Sequence, residues 1–148
     1  MPFSALDHES VFHAAMETIP SSILIFDDGL VVRMVNRNFL EKSRGSLDAT
    51  LGRRLHEIFP PAFQDTPLDQ QIREVIGGGD TLHHQRMTYR APGVSLRIYS
   101  YSVCPLQLHE RARGAILVMD DVTDLLHLSE EVRRTQLHLA AWSRAPAT

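Results

Sequence analysis

Two short apolar runs, Ile23-Leu24-Ile25-Phe26 and Leu30 through Val35, flank a single Asp28-Gly29 step. No other stretch limits the possible folds of this chain so tightly. Asp-Gly between β-prone runs signals a tight hairpin, because glycine accepts the positive φ such turns require. Ile19-Pro20 comes just before it, and the residue preceding a proline is biased away from the helical region. Asn36 comes just after it and can cap a helix with its side-chain oxygen. Residues 19–38 therefore predict the end of a helix, a strand, a turn, a second strand and the start of another helix.

The flanking sequence extends this pattern. Val11, Phe12, Ala15, Met16 and Ile19 recur at helical spacing, which predicts a helix over 10–18 with Ser10 as its N-cap. The helix begun by Asn36 reaches Ser43, with Phe39 and Leu40 turned inward and Gly45 ending it in the left-handed conformation. Residues 46–61 predict two short helical turns, separated by Gly52 and stopped by Pro60-Pro61. Leu68, Ile72, Val75 and Ile76 repeat every 3.6 residues and predict an amphipathic helix over 67–76. Gly77-Gly78-Gly79-Asp80 then turns the chain.

Beyond that turn the period changes. Residues 81–90 are strand-like, and Ala91-Pro92-Gly93 is a turn. Val94, Leu96 and Ile98 share one parity, while Tyr99, Tyr101 and Val103 share the other. Such a flip implies a β-bulge or a strand partly covered on both faces. Pro105 marks the end of pairing or an edge bulge, and 109–113 is a polar loop. Residues 114–119 are continuously apolar, as in a central strand buried on both sides. The expected fold is α+β, a five-stranded antiparallel sheet covered on one face by short helices.

From Asp121 the pattern is helical again. Leu125, Leu128, Val132, Thr135, Leu139 and Trp142 keep a 3-4 spacing, a coiled-coil seam with one polar step. So short a seam is marginal alone and needs a partner helix, a second subunit or a docking surface; together with the apolar first helix it predicts a homodimer. Composition narrows the function classes. A net charge of −3 over 148 residues gives no global attraction to nucleic acid or to an anionic membrane. Of the 15 basic residues all but Lys42 are arginine, but they are scattered rather than clustered. A single cysteine, Cys104, precludes an internal disulfide and suits a reducing, cytoplasmic setting. The longest apolar runs fall far short of the ~20 residues of a membrane span, and Met1-Pro2-Phe3-Ser4 does not resemble a signal peptide.

Taken in order, these segments resemble the PAS domain. The resemblance covers about residues 11–123. It rests on Ile19-Pro20, Asp27-Asp28-Gly29, Val35-Asn36-Arg37-Asn38-Phe39, Gly52-Arg53-Arg54-Leu55 with Ile58-Phe59-Pro60, and residues 114–119 running into Asp121-Val122-Thr123. It implies three segments: a lead over 1–10, a PAS sensor over 11–120 and an output linker helix over 121–148. In that family the Asp-Val/Ile-Thr step joins the last strand to the output helix, so Asp121, Val122 and Thr123 are the expected relay. Arg134-Thr135-Gln136-Leu137-His138-Leu139-Ala140-Ala141 is similar to the linker of nitrogen-regulation-type sensor histidine kinases, then departs at Trp142-Ser143-Arg144. The phospho-acceptor histidine box is absent and no ATP-binding region is present, so the resemblance implies a sensory module rather than an enzyme. Its partners would be a second copy, a small-molecule ligand or a signalling protein.

A ligand pocket between helices and sheet would draw on Ile25, Phe39, Phe59, Ile72, Ile76, Met87, Tyr89 and Ile98, all of which can equally fill a core. Heme is disfavoured: in heme-binding relatives the ligating histidine lies on the helix that here spans 68–76, which has none. Flavin photochemistry is disfavoured because Cys104 lies on a late strand, where it reads as a small buried hydrophobe. His83 and His84 are adjacent, so on a regular strand they face opposite sides and cannot share a metal. Neither a nucleophile elbow nor a phosphate loop is present, and no cofactor is expected.

Overall fold

Helix α1, Ala5–Thr18, leads into a hairpin of β1, Ser22–Asp27, and β2, Val32–Val35. Among the described residues four helices come next: α2, Arg37–Ser43; α3, Leu47–Thr50; α4, Leu55–Ile58; and α5, Leu68–Ile76. The chain closes with β3, Leu82–Tyr89; β4, Arg97–Gln107; β5, Arg113–Asp121; and α6, Thr123–Ser143. This computed structural model describes residues 5–59, 66–89, 96–107 and 112–143. The strands form one antiparallel sheet in the order β2-β1-β5-β4-β3. β5, which carries the continuous apolar run 114–119, lies at its centre, as its sequence predicts.

Alternation along the strands selects the core. Leu24 and Phe26 of β1, Ala115, Leu117 and Met119 of β5, Tyr101 and Val103 of β4 and Met87 of β3 point to one face. Phe39, Leu55, Leu68, Ile72, Val75 and Ile76 from α2, α4 and α5 pack against them. Each fully buried leucine or phenylalanine here contributes about 1.5–3 kcal/mol, so the helix-covered face dominates stability. Among the described side chains of α1 only Met16 is buried, and Leu125, Leu128, Val132, Leu137, Leu139 and Trp142 of α6 lie open to solvent.

Several local expectations are corrected. The left-handed residue of the first turn is Leu30, φ 59°, and not Gly29. Asp27 explains this: its Oδ1 accepts from the N–H groups of Gly29 at 2.9 Å and Val31 at 3.1 Å, while its carbonyl accepts from Leu30 at 3.0 Å. That geometry drops the Leu30 side chain into the core, 2% exposed. Its burial offsets the roughly 1–2 kcal/mol that a left-handed L-residue costs. Likewise α2 ends on left-handed Arg44, φ 56°, rather than Gly45. Ser10 lies inside α1 and is not its cap, because the helix begins five residues earlier.

The β4–β5 ladder runs without interruption from Tyr99 opposite Asp121 to Gln107 opposite Arg113. The parity flip along β4 is therefore a strand covered differently on its two faces. Pro105 sits within this ladder, opposite Ala115. It is tolerated because β3 pairs with β4 only as far as Val103, so the missing N–H faces no third strand. The bulge lies instead in β3, between Leu82 and Gln85. Gly79 closes the preceding turn: a Cβ there would come within 2.7 Å of the Glu74 carbonyl oxygen. The turn expected at 91–93, the Pro60-Pro61 stop and most of the 109–113 loop lie outside the described residues.

Candidate functional site

A well-connected polar cluster lies where β5 gives way to α6. Asp121 ends β5 and Thr123 begins α6. The Thr123 hydroxyl donates to Asp121 Oδ1 at 2.6 Å and accepts from the Ile98 N–H of β4 at 2.8 Å. The Thr123 N–H donates to the same carboxylate oxygen at 3.0 Å, the local Asx bond that favours aspartate before a helix. The Val122 N–H donates to the Ile98 carbonyl at 2.9 Å. Arg97 grips the other oxygen of Asp121 through Nε at 2.8 Å and Nη2 at 2.6 Å. Two donors on one ionised oxygen make this a short, charge-assisted contact. The exit of α6 is thus tied to β4 by two backbone groups of Ile98 and one ion pair.

Partial burial of Asp121 pushes its carboxyl upward, but the bonds from the Thr123 hydroxyl and N–H and from Arg97 outweigh it and hold the pKa below the ordinary range. Residues 121–123 stand where the sequence places them. Arg97 was not anticipated, since nothing local marks an arginine for a partner 24 residues ahead.

A second polar node lies at the entry side of the sheet. Asn36 is completely buried, and its side chain is fully used. Oδ1 accepts from Phe39 N–H at 3.2 Å, capping α2, and from Ile23 N–H at 3.0 Å. Nδ2 donates to the carbonyls of Met16 at 3.0 Å and Ser21 at 2.7 Å. The cap was legible in the sequence, but the three bonds to α1, the 19–21 linker and β1 were not. The Ser21 hydroxyl in turn donates to Asp120 at 2.6 Å, linking this node to the residue beside Asp121.

Among the candidate pocket residues, Phe39, Phe59, Ile72, Ile76 and Met87 come together in or against the main core. The rings of Phe39 and Phe59 meet edge to face, with centroids 6.0 Å apart. Ile25 and Ile98 do not join them. Their neighbours Leu24, Phe26 and Tyr99 face the core, so the two isoleucines take the opposite face of the sheet. The Tyr89 side chain lies outside the described residues. Tyr101 was missed; it bridges sheet and α5 by donating to Gln71 Oε1. Burial pushes its phenol pKa up, partly offset by that bond. Every buried side-chain nitrogen or oxygen among the described residues has a partner.

The coiled-coil residues Leu125, Leu128, Val132 and Leu139 are all exposed on α6, as is Trp142. Cys104, expected to be buried, is exposed, with Thr81 Oγ1 3.7 Å from its sulfur. His83 and His84 do not face opposite sides, as an unbroken strand would require. The β3 bulge brings their ring centroids to 6.2 Å.

Because Asp121 has a lowered pKa, it stabilises the fold fully above its unfolded value of about 3.9, and that contribution is lost as pH falls through the folded value. The Asp121→Asn variant should therefore melt below wild type at pH 7 and converge towards it below about pH 4. Thermal unfolding measured by circular dichroism across pH checks this; a constant difference at all pH values would sink it.

A protein-family model described as the PAS fold matches residues 16–127. Curated protein sequences gave no match. Among solved structures, the chain is similar to a PAS domain from a two-component sensor histidine kinase: 12% identity, TM-score 0.59, covering 80% of this chain and 99% of that one. It is similar to the PAS domain of Bordetella pertussis BvgS: 16% identity, TM-score 0.57, covering 87% of this chain and 98% of that one. It also matches Vibrio cholerae VqmA, a LuxR-type receptor described as a dimer: 20% identity, TM-score 0.62, covering 83% of this chain and 53% of that one. At these identities the structural similarities speak for the fold, and the family match covers most of the sequence. With its five-stranded sheet, its helices on one face and its strand-to-helix exit at Asp121-Val122-Thr123, this chain belongs to the PAS fold family.

Proposed function

We propose that this chain is the sensory and dimerisation module of a bacterial-type signalling protein, in the first instance a two-component histidine kinase. It would pass ligand or partner binding to α6. One observation carries this reading: α6 continues directly from the central strand, is held there by Thr123 and Asp121, and presents an unburied apolar seam. A change in the β4–β5 ladder would reach the helix through Ile98, because both backbone groups of that residue bond across the junction. The likeness to VqmA supports a second reading, in which the module serves a transcriptional regulator. The two readings share the relay and differ in the output domain that α6 would drive.

Homodimerisation belongs to the same proposal. Leu125 is 65% exposed and Leu128 58%, and covering each would contribute about 1.5–3 kcal/mol. Val11 and Phe12 leave a smaller apolar patch on α1. Among the described residues no helix is long and apolar enough to cross a membrane, and we assign the module to the cytoplasm because its one cysteine suits a reducing compartment.

Multi-angle light scattering should give a dimer for wild type and a monomer for Leu125→Asp or Leu128→Asp. A wild-type monomer, or dimers untouched by both substitutions, would overturn this role for the seam. We also propose that the module works without heme or flavin: five of the residues that would line a cofactor site, Phe39, Phe59, Ile72, Ile76 and Met87, pack in or against the core, and α5 carries no histidine. Freshly purified protein should show no absorption band beyond about 300 nm, where the aromatic side chains themselves stop absorbing; a Soret or flavin band would refute this.

A further inference from the structure

We propose that His83 and His84 form a two-imidazole site for a divalent transition-metal ion on β3, the edge strand beside β4. The register supplies the geometry. Leu82 pairs with Val103 and Gln85 with Tyr101, so three steps along β3 match two along β4. His83 and His84 together oppose Ser102. In a regular strand their side chains would diverge to opposite faces; the extra residue re-aims them. His84 takes up the turn in the left-handed conformation, φ 50°. Two polar contacts hold the bulge: the His84 N–H donates to Ser102 Oγ at 3.2 Å, and Gln85 Nε2 donates to the His83 carbonyl at 3.1 Å.

The distances suit chelation. Imidazole nitrogens bind such ions at about 2.0–2.1 Å, which places two rings on one ion with centroids roughly 5–6 Å apart. The observed separation is 6.2 Å, with the ring planes tilted by 36°. Both side chains are exposed, so small rotations within their rotamer wells close the remaining gap. Two nitrogen donors select copper, nickel or zinc over magnesium or calcium. No group of three metal-ligating side chains occurs among the described residues, so water fills the other coordination positions and the ion exchanges freely. A bulge alone can blunt an edge strand against stray pairing, but that use does not require two imidazoles.

The test is titration of the purified chain with Cu²⁺ alone, read by electron paramagnetic resonance and by calorimetry, on wild type, His83→Gln and His84→Gly. Glycine keeps the left-handed backbone of the bulge, and the other histidines remain in every variant. Wild type should bind about one equivalent with hyperfine splitting from two nitrogens. Each variant should lose the two-nitrogen pattern and bind at least roughly tenfold more weakly, and excess Mg²⁺ should not compete. A one-nitrogen spectrum in wild type, or equal affinity across all three proteins, would overturn the proposal.

Discussion

The buried side chain of Asn36 is the constraint on which the rest of the arrangement depends. An amide with no contact with water must satisfy both its acceptor and its donors inside the protein, or forfeit about 1–3 kcal/mol for each group left unpaired. Asn36 does so by capping α2 and by bonding to Ile23, Met16 and Ser21. Those four partners belong to α2, β1, the end of α1 and the linker between α1 and β1. Its own N–H donates to the Ile23 carbonyl at 3.1 Å. One side chain thus fixes where the first helix ends, where the first strand starts and where the second helix leaves the sheet. Aspartate could not replace it without setting a carboxylate against two carbonyl oxygens.

The same end of the sheet carries the exit. Ser22 lies opposite Met119 in the β1–β5 ladder, so the residues just before β1 lie beside those ending β5. Ser21 spans the gap, its carbonyl bonded to Asn36 and its hydroxyl to Asp120. The next residue, Asp121, anchors Thr123 and Arg97. Both α1 and α6 therefore attach at one end of the sheet through a chain of short polar contacts, and both carry apolar residues that the core leaves uncovered. On the proposed role, those helices would respond together to anything that shifts the sheet.

Much of this was legible because the signals were local. The hairpin, the α2 cap, the amphipathic α5 and the apolar β5 each announce themselves within a few residues. Features set by distant contacts were not. Leu30 and Arg44 adopt the left-handed conformation although glycines stand beside them, because burial and hydrogen bonding of neighbouring groups decide the backbone there. Arg97 and Gln71 find partners 24 and 30 residues away, and no pattern in a single sequence marks such pairs. Ile25 was misplaced for a different reason. Its hydrophobicity was weighed without its parity, and strict alternation with Leu24 and Phe26 would have sent it to the other face. The bulge at His83 and His84 was hidden because its cause is a register mismatch with β4, which exists only once the strands pair.

The central claim is that α6 is held in its direction by side-chain bonds to Ile98 rather than by its own helical stability. Hydrogen exchange of backbone amides, measured by nuclear magnetic resonance in wild type and Thr123→Val, tests it most directly. Valine keeps the shape and removes the hydroxyl that bonds Ile98 and Asp121. The account predicts that the amides of Ile98, Val122 and Leu126 lose protection by roughly tenfold or more, while those of Leu24 and Leu117 are unchanged. Unaltered protection at Ile98 and through the first turn of α6 would contradict it.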